Sequence, residues 1–125
     1  MRRILVVEDE EAIRSFLRLA LEAAGYEVVE AANGREGLAM YHQTAIDLVI
    51  TDLEMPEMDG ATMIEALRDA QAQIPVIVIS GRQEQFHSMQ AFGVQYIFQK
   101  PFCLHELLRT VRTLMCGTPP GTPVN

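Results

Sequence analysis

An apolar run, Leu48-Val49-Ile50-Thr51, closes on Asp52, and Pro56 and Gly60 then punctuate a loop. Such a run reads as a buried strand. The carboxyl end of a buried parallel strand is where open α/β sheets place their ligands. By itself Asp52 also fits a turn aspartate that satisfies nearby backbone N–H groups. Other apolar runs end in the same fashion. Arg3 to Val7 runs into Glu8-Asp9, Val76 to Ile79 into Ser80-Gly81, and Tyr96 to Gln99 into Lys100. Lys100 is the sole lysine beside nine arginines. Parallel strands share one carboxyl rim, so Glu8, Asp9, Asp52, Ser80 and Lys100 are expected to cluster although far apart in sequence.

Three carboxylates a few ångströms apart repel, at about 4 kcal/mol per pair for an effective dielectric near 20. The cluster therefore implies a bound cation or raised pKa values. A small set of oxygen ligands with room for water suits Mg2+ better than zinc or a caged calcium. A carboxylate beside Mg2+ can attack phosphorus and form an acyl phosphate. Phosphoryl transfer asks mainly for positioning and charge neutralisation. Asp52 and one phosphoryl oxygen would share the metal, and the Ser80 hydroxyl and Lys100 ammonium would take the other two oxygens.

The elements that must position these groups alternate along the chain. After the first strand, Ile13, Phe16, Leu17, Ala20, Leu21 and Ala24 recur at helical spacing, with Arg14, Arg18 and Glu22 on the other side, and Gly25 ends the helix. Glu27 to Ala31 is a second strand, and Asn33 is a candidate cap for a helix over Arg35 to Gln43. Asp59-Gly60 leads a helix to about Asp69 with Met63, Ile64 and Leu67 inward. A helix over Gln83 to Phe92 follows the fourth strand, and Gly93 stops it. The last helix carries Leu104, Leu107, Leu108, Val111, Leu114 and Met115 on one stripe. Strands alternating with helices imply βαβ units and a parallel sheet.

The 125 residues fit one domain with an aliphatic core, since aromatic residues make up only 6% and Trp is absent. A net charge of −7 disfavours this domain as a nucleic-acid binder, because neutralising phosphates needs a basic face. No apolar stretch approaches a membrane span and no signal peptide is evident, so a cytoplasmic location is expected. Cys103 and Cys116 bracket the last helix and read as free thiols. Gly117 to Asn125, with Pro119, Pro120 and Pro123, reads as a flexible tail or linker stump after a domain over 1–116.

Four stretches in this order and spacing, Ile-Leu-Val-Val-Glu-Asp-Glu from Ile4, Asp-Leu-Val-Ile-Thr-Asp-Leu-Glu-Met-Pro-Glu-Met-Asp-Gly from Asp47, Val-Ile-Val-Ile-Ser-Gly from Val76 and Gln-Lys-Pro-Phe from Gln99, carry a family resemblance. From Arg2 to about Met115 the chain resembles the receiver domain of bacterial two-component response regulators. The resemblance implies a flavodoxin-like (βα)5 three-layer sandwich with a parallel sheet in order 2-1-3-4-5. It also implies that Asp52 is the phosphoacceptor, Asp9 a direct Mg2+ ligand, Glu8 a ligand through water, and the Glu54 backbone carbonyl a further ligand. Ser80 and Lys100 would contact the phosphoryl group, and the Lys100-Pro101 peptide would be cis. The donor would be a phosphohistidine on a sensor histidine kinase or phosphotransfer protein. Downstream would stand an effector or fused output domain, or a phosphorylation-dependent homodimer.

Two positions depart from the common pattern. Glu8 stands where many members carry a second aspartate. Ile97 stands three residues before Lys100, where a switch aromatic is usual; Tyr96 is one residue off and should point to the other face. Tyr96 and Phe98 then read as edge-strand packing. The partner-binding, switching face would comprise the helix over 83–92, the Tyr96–Gln99 strand and the last helix, with Tyr96, Ile97, His87, Gln90 and Arg109. Glu54 and Arg82, each two residues past a site residue, would tune the acyl phosphate's lifetime.

Three rivals share parts of this pattern. A haloacid-dehalogenase-type phosphatase also uses a strand-end aspartate, but wants a second aspartate where this chain has Glu54 and its nucleophile on the first strand. A flavin-binding module needs a loop that receives phosphate, and Glu8-Asp9-Glu10-Glu11 has the wrong sign. A pseudo-receiver, folded but never phosphorylated, is the third. The receiver reading makes the chain a signalling switch and not a turnover enzyme; it would catalyse only its own phosphorylation and dephosphorylation.

Overall fold

Strands buried on both faces read as continuous apolar runs, and the three inner strands follow that rule. The structure is a computed structural model and describes residues 2–55, 58–70, 73–81, 93, 94 and 96–115. Strand β1 (Arg3–Val7) is buried from Ile4 onward, while β3 (Leu48–Asp52) and β4 (Val76–Ser80) are buried throughout. Strands β2 (Glu27–Ala31) and β5 (Tyr96–Gln99) form the half-buried edges. All four pairings are parallel, in the order β2-β1-β3-β4-β5 anticipated from the family resemblance. The chain leaves β1 for β2 on one side and returns to β3 on the other. That reversal opens a crevice at the carboxyl ends of β1 and β3.

Alternation along the strands divides the core in two. Leu5, Val7, Val49 and Val78 face Met63, Ile64 and Leu67 of helix α3 (Gly60–Asp69), with Leu38 and Met40 of helix α2 (Gly34–Gln43) packed on the same side. Ile4, Val6, Ile50, Ile77 and Ile79 face Leu17 and Leu21 of helix α1 (Glu11–Ala23) and Leu107, Val111 and Met115 of the C-terminal helix (Leu104–Met115). The same alternation separates Ile97, which joins the α2–α3 side, from Tyr96 and Phe98, which join the α1 side.

Helix starts follow from local chemistry. Asn33 Oδ1 accepts from the Glu36 N–H at 2.9 Å, and Glu36 reaches back to the Ala32 N–H at 3.3 Å, a reciprocal cap. Asp59 Oδ1 accepts from Thr62 N–H at 2.8 Å. Gly25, at φ +100°, ends α1 one residue after its cap, Ala24.

Two expectations for α1 are corrected. Phe16, assigned inward by periodicity, is 49% exposed, and Ala24 is an exposed cap. The stripe facing the sheet is narrower, centred on Leu17 and Leu21, because β1 offers α1 only the residues of one face. The helix over 83–92 with Arg82, His87 and Gln90, the tail from 117 and Cys116 all lie outside the described residues. Cys103 is a free, exposed thiol.

Candidate functional site

Strand register brings the polar strand ends together. Val7 pairs with Thr51 and Asp52 with Ile79, so Glu8 and Asp52 leave adjacent strands side by side. Ser80 pairs with Gln99, and the Lys100 N–H donates to the Ser80 carbonyl at 2.9 Å, which carries the lysine to the same rim. The Lys100-Pro101 peptide is cis.

The side chains converge as the strand pattern requires. Lys100 Nζ donates to Asp52 Oδ2 at 2.6 Å and to Glu8 Oε1 at 3.2 Å. The remaining oxygens are held by main chain: Glu54 N–H donates to Asp52 Oδ1, and Glu10 N–H to Glu8 Oε2, both at 3.1 Å. Glu8 and Asp52 are 3% and 6% exposed, and Ser80 is fully buried at the neighbouring strand end. Asp9 is exposed, yet one of its carboxylate oxygens lies within 4.8 Å of oxygens from Glu8 and Asp52.

Two of the three carboxylates thus bond the one ammonium, and their burial marks the titration of Glu8 and Lys100. Burial pushes the Glu8 carboxyl up to about 7, and the nearby Asp52 charge adds to the push against the Glu10 N–H and Lys100. Burial opposes the Lys100 ammonium, but Asp52 and Glu8 outweigh it and its pKa lies above the ordinary lysine value.

Backbone contacts hold the Asp52 end of the site. The Thr51 hydroxyl donates to the Asp52 carbonyl at 2.7 Å within the core. Gly60 N–H donates to the Leu53 carbonyl, and a Cβ on Gly60 would fall inside the van der Waals shell of the Asp52 carbonyl oxygen. The first turn of α3 can lie against the end of β3 only because residue 60 has no side chain. The Gly34 N–H, opening α2, donates to the Met58 carbonyl at 2.8 Å and pins the far side of the same loop.

Sequence reasoning missed one contributor. Arg14, grouped with the outer face of α1, donates through a guanidinium N–H to the Glu8 main-chain carbonyl at 2.7 Å. Its helical position gave no sign of this, since only the tertiary fold lays α1 beside the end of β1. Next to the rim, Ile13, Phe16, Pro101, Phe102 and Leu104 line an apolar groove of about 570 Å³ that reaches Lys100. Of the residues expected on the switching face, Tyr96 and Arg109 line a cleft of about 360 Å³ with Phe98 and Glu106.

Similarity to known proteins identifies the family. The family model for the response regulator receiver domain matches residues 4–112. The KDP operon transcriptional regulatory protein KdpE of Escherichia coli is 41% identical over 117 residues, covering 92% of this chain and 52% of that protein. The DNA-binding dual master transcriptional regulator RpaA of Synechocystis is 36% identical over 122 residues, covering 94% and 51%. The chain therefore spans about half the length of these curated relatives. Among solved structures, the response regulator TrrA of Thermotoga maritima in complex with Mg2+-BeF superposes with a TM-score of 0.84 at 32% identity, covering 92% of this chain and all of that one. The chemotaxis protein CheY4 of Vibrio cholerae gives 0.84 at 32% identity, covering 92% and 99%. With sheet order, family match and superposition over 92% of the chain in agreement, the chain belongs to the response regulator receiver domains of two-component signalling systems.

Proposed function

We propose that Asp52 is the phosphoacceptor of this receiver domain and that its donor is a phosphohistidine on a sensor histidine kinase or phosphotransfer protein. The observation that carries the reading is the Lys100 ammonium, 2.6 Å from the Asp52 carboxylate in a pocket of three acids. Mg2+ fits this pocket, because the donors are all oxygens and their negative charge exceeds what Lys100 can balance. Asp9 and Asp52 would bind it directly, Glu8 through water, and the Glu54 carbonyl would complete the protein's share. The ion supplies charge neutralisation and alignment for the transferred group.

The chain's own residues perform the rest. An Asp52 carboxylate oxygen forms the new O–P bond as the donor's P–N bond breaks; the bonding pair leaves on the imidazole nitrogen, which takes a proton from solvent. Lys100, on a flexible four-carbon stem, follows the charge from the carboxylate to a phosphoryl oxygen. The Ser80 hydroxyl donates to another. Hydrolysis by water releases inorganic phosphate and returns Asp52 to the free state, at a rate tuned by Glu54 and Arg82, so the domain catalyses only its own modification. The apolar groove lined by Ile13, Phe16, Pro101 and Phe102 adjoins Lys100, which suits it to the flank of a protein that brings the phosphohistidine.

Signalling requires that phosphorylation stabilise one conformer over another. The responding face in this reading is β5 and the C-terminal helix with Tyr96, Ile97 and Arg109, and the sequence pattern adds Arg82, His87 and Gln90 to the residues that respond. It contacts an effector, an output domain or a second copy. The receiver occupies 1–116, with 117–125 as a tail or linker stump, and works in the cytoplasm, where such kinases present their phosphohistidines. Intact mass after incubation with acetyl phosphate and Mg2+ tests the core of the reading. One phosphoryl group per chain on the wild type and none on Asp52→Asn is expected. Equal labelling of both proteins, or none on either, overturns it, and continuous turnover of phosphate monoesters would favour a phosphatase.

A further inference from the structure

We propose that Arg14 is a positioning residue for the divalent cation, acting through the main chain of the turn that carries Glu8 and Asp9. The inference rests on the metal site just proposed and adds a residue outside its ligand set.

The ladder between β1 and β2 ends at the Glu8 N–H, which donates to the Ala31 carbonyl at 3.0 Å. The Glu8 carbonyl has left the ladder, and Arg14 supplies its donor at 2.7 Å. A peptide unit is planar, so holding that carbonyl also sets the Asp9 nitrogen and the direction of its Cα. Glu10 N–H donates to the Glu8 carboxylate and ties the next peptide. The turn is thus pinned at three successive groups, and Asp9, itself exposed, takes its place from them.

Arg14 is in turn anchored from a third element. Its Nε faces Glu30 Oε1 on β2 at 3.3 Å, and Glu30 Oε2 is held by Arg18 Nε at 3.0 Å. Exposed ion pairs of this sort contribute little to stability, but the Arg14 side chain is only 17% exposed and spends a second N–H on the turn. With Glu30 beside it, its charge is largely balanced. What it adds at the site is direction, which a planar fork supplies and a lysine ammonium does not. Partners that orient metal ligands from outside the ligand set commonly matter ten- to a hundredfold in metal affinity.

Calorimetric Mg2+ titration, metal-free thermal melts and acetyl phosphate labelling across Mg2+ concentrations test this on the wild type, Arg14→Met, Arg14→Lys and Glu30→Gln. Arg14→Met is expected to weaken Mg2+ binding about tenfold, with a labelling defect that disappears at saturating Mg2+. Arg14→Lys should recover only part of the affinity, and Glu30→Gln should lose a smaller factor than Arg14→Met. Mg2+ affinity of Arg14→Met within about twofold of the wild type, full rescue by lysine, or a defect that saturating Mg2+ leaves in place would each overturn the proposal. If Arg14→Met does not fold, Arg14→Lys and Glu30→Gln decide by the same criteria. A wild type that takes up no Mg2+, like an Asp9→Asn control, would instead bring down the metal site and this role together.

Discussion

The two rims of one sheet handle charge in opposite ways. At the amino rim, the Arg3 guanidinium meets the Glu27 carboxylate and the Ala45 carbonyl, while the Arg3 N–H donates to Asp47. One ion pair stands there at the surface, with Glu27 43% exposed, and Asp47 is half-buried on a main-chain donor, so water screens what remains. At the carboxyl rim, Glu8 and Asp52 share Lys100 and are almost fully buried, with the Asp9 carboxylate beside them. An arrangement that served stability alone would keep acids in water at both edges, since burying carboxylates is costly even when they are paired. The carboxyl rim buries two against one ammonium, a surplus that suits the cation and phosphoryl group proposed above.

Changes at either rim can break or sharpen that contrast. Lys100→Ala is expected to have the largest effect, slowing Asp52 labelling by acetyl phosphate about a hundredfold or more, in line with the loss of a preorganised charge-stabilising donor; rates followed by intact mass check it. The pH response of the metal-free protein comes next. Glu8 titrates near 7 when folded and near its ordinary value when unfolded, so between the two the folded state binds the extra proton. Stability therefore falls as pH rises from about 5 to 8, by on the order of 3 kcal/mol, and Mg2+ should abolish the fall. Denaturant melts at several pH values, with and without Mg2+, read it directly; stability rising over that window would show that Glu8 is not held as described.

Gly60→Ala follows, at a cost of about 1–3 kcal/mol from overpacking against the end of β3, together with slower labelling because the loop after Asp52 must move. Its counterpart at the amino rim is the mildest. Glu27→Gln should cost under about 1 kcal/mol and leave labelling of Asp52 unchanged, by melts and mass respectively. Separately, Phe16→Glu should slow transfer from a phosphohistidine protein while sparing acetyl phosphate, because only the larger donor needs the apolar groove.

Much of this site was legible before any coordinates. Asp52, Ser80 and Lys100 stand out because each ends an apolar run, and parallel strands have one carboxyl edge on which such ends must meet. Ile97 and Tyr96 were assigned to opposite faces by period-two alternation alone, and they do join opposite sides of the core. Contacts between elements were not legible in this way. Phe16 fits the helical period yet faces outward, because periodicity fixes a helix's faces only to within a residue or so. Arg14 looked like a solvent-side charge, since its partner, the Glu8 carbonyl, is a main-chain atom that no side-chain pattern announces.

Local chemistry along the chain determined the strands, the caps at Asn33 and Asp59, and which residues could carry acid, hydroxyl and ammonium groups. Those features depend on neighbours a few residues away, so they are written in spacing. Only the folded chain decided that Lys100 donates to both Glu8 and Asp52, that Gly60 lies against the Asp52 carbonyl, and that Arg14 ties the Glu8–Asp9 turn to β2. Each of those joins separate elements at ångström precision, and strand register and helix docking set such distances; the order of residues does not.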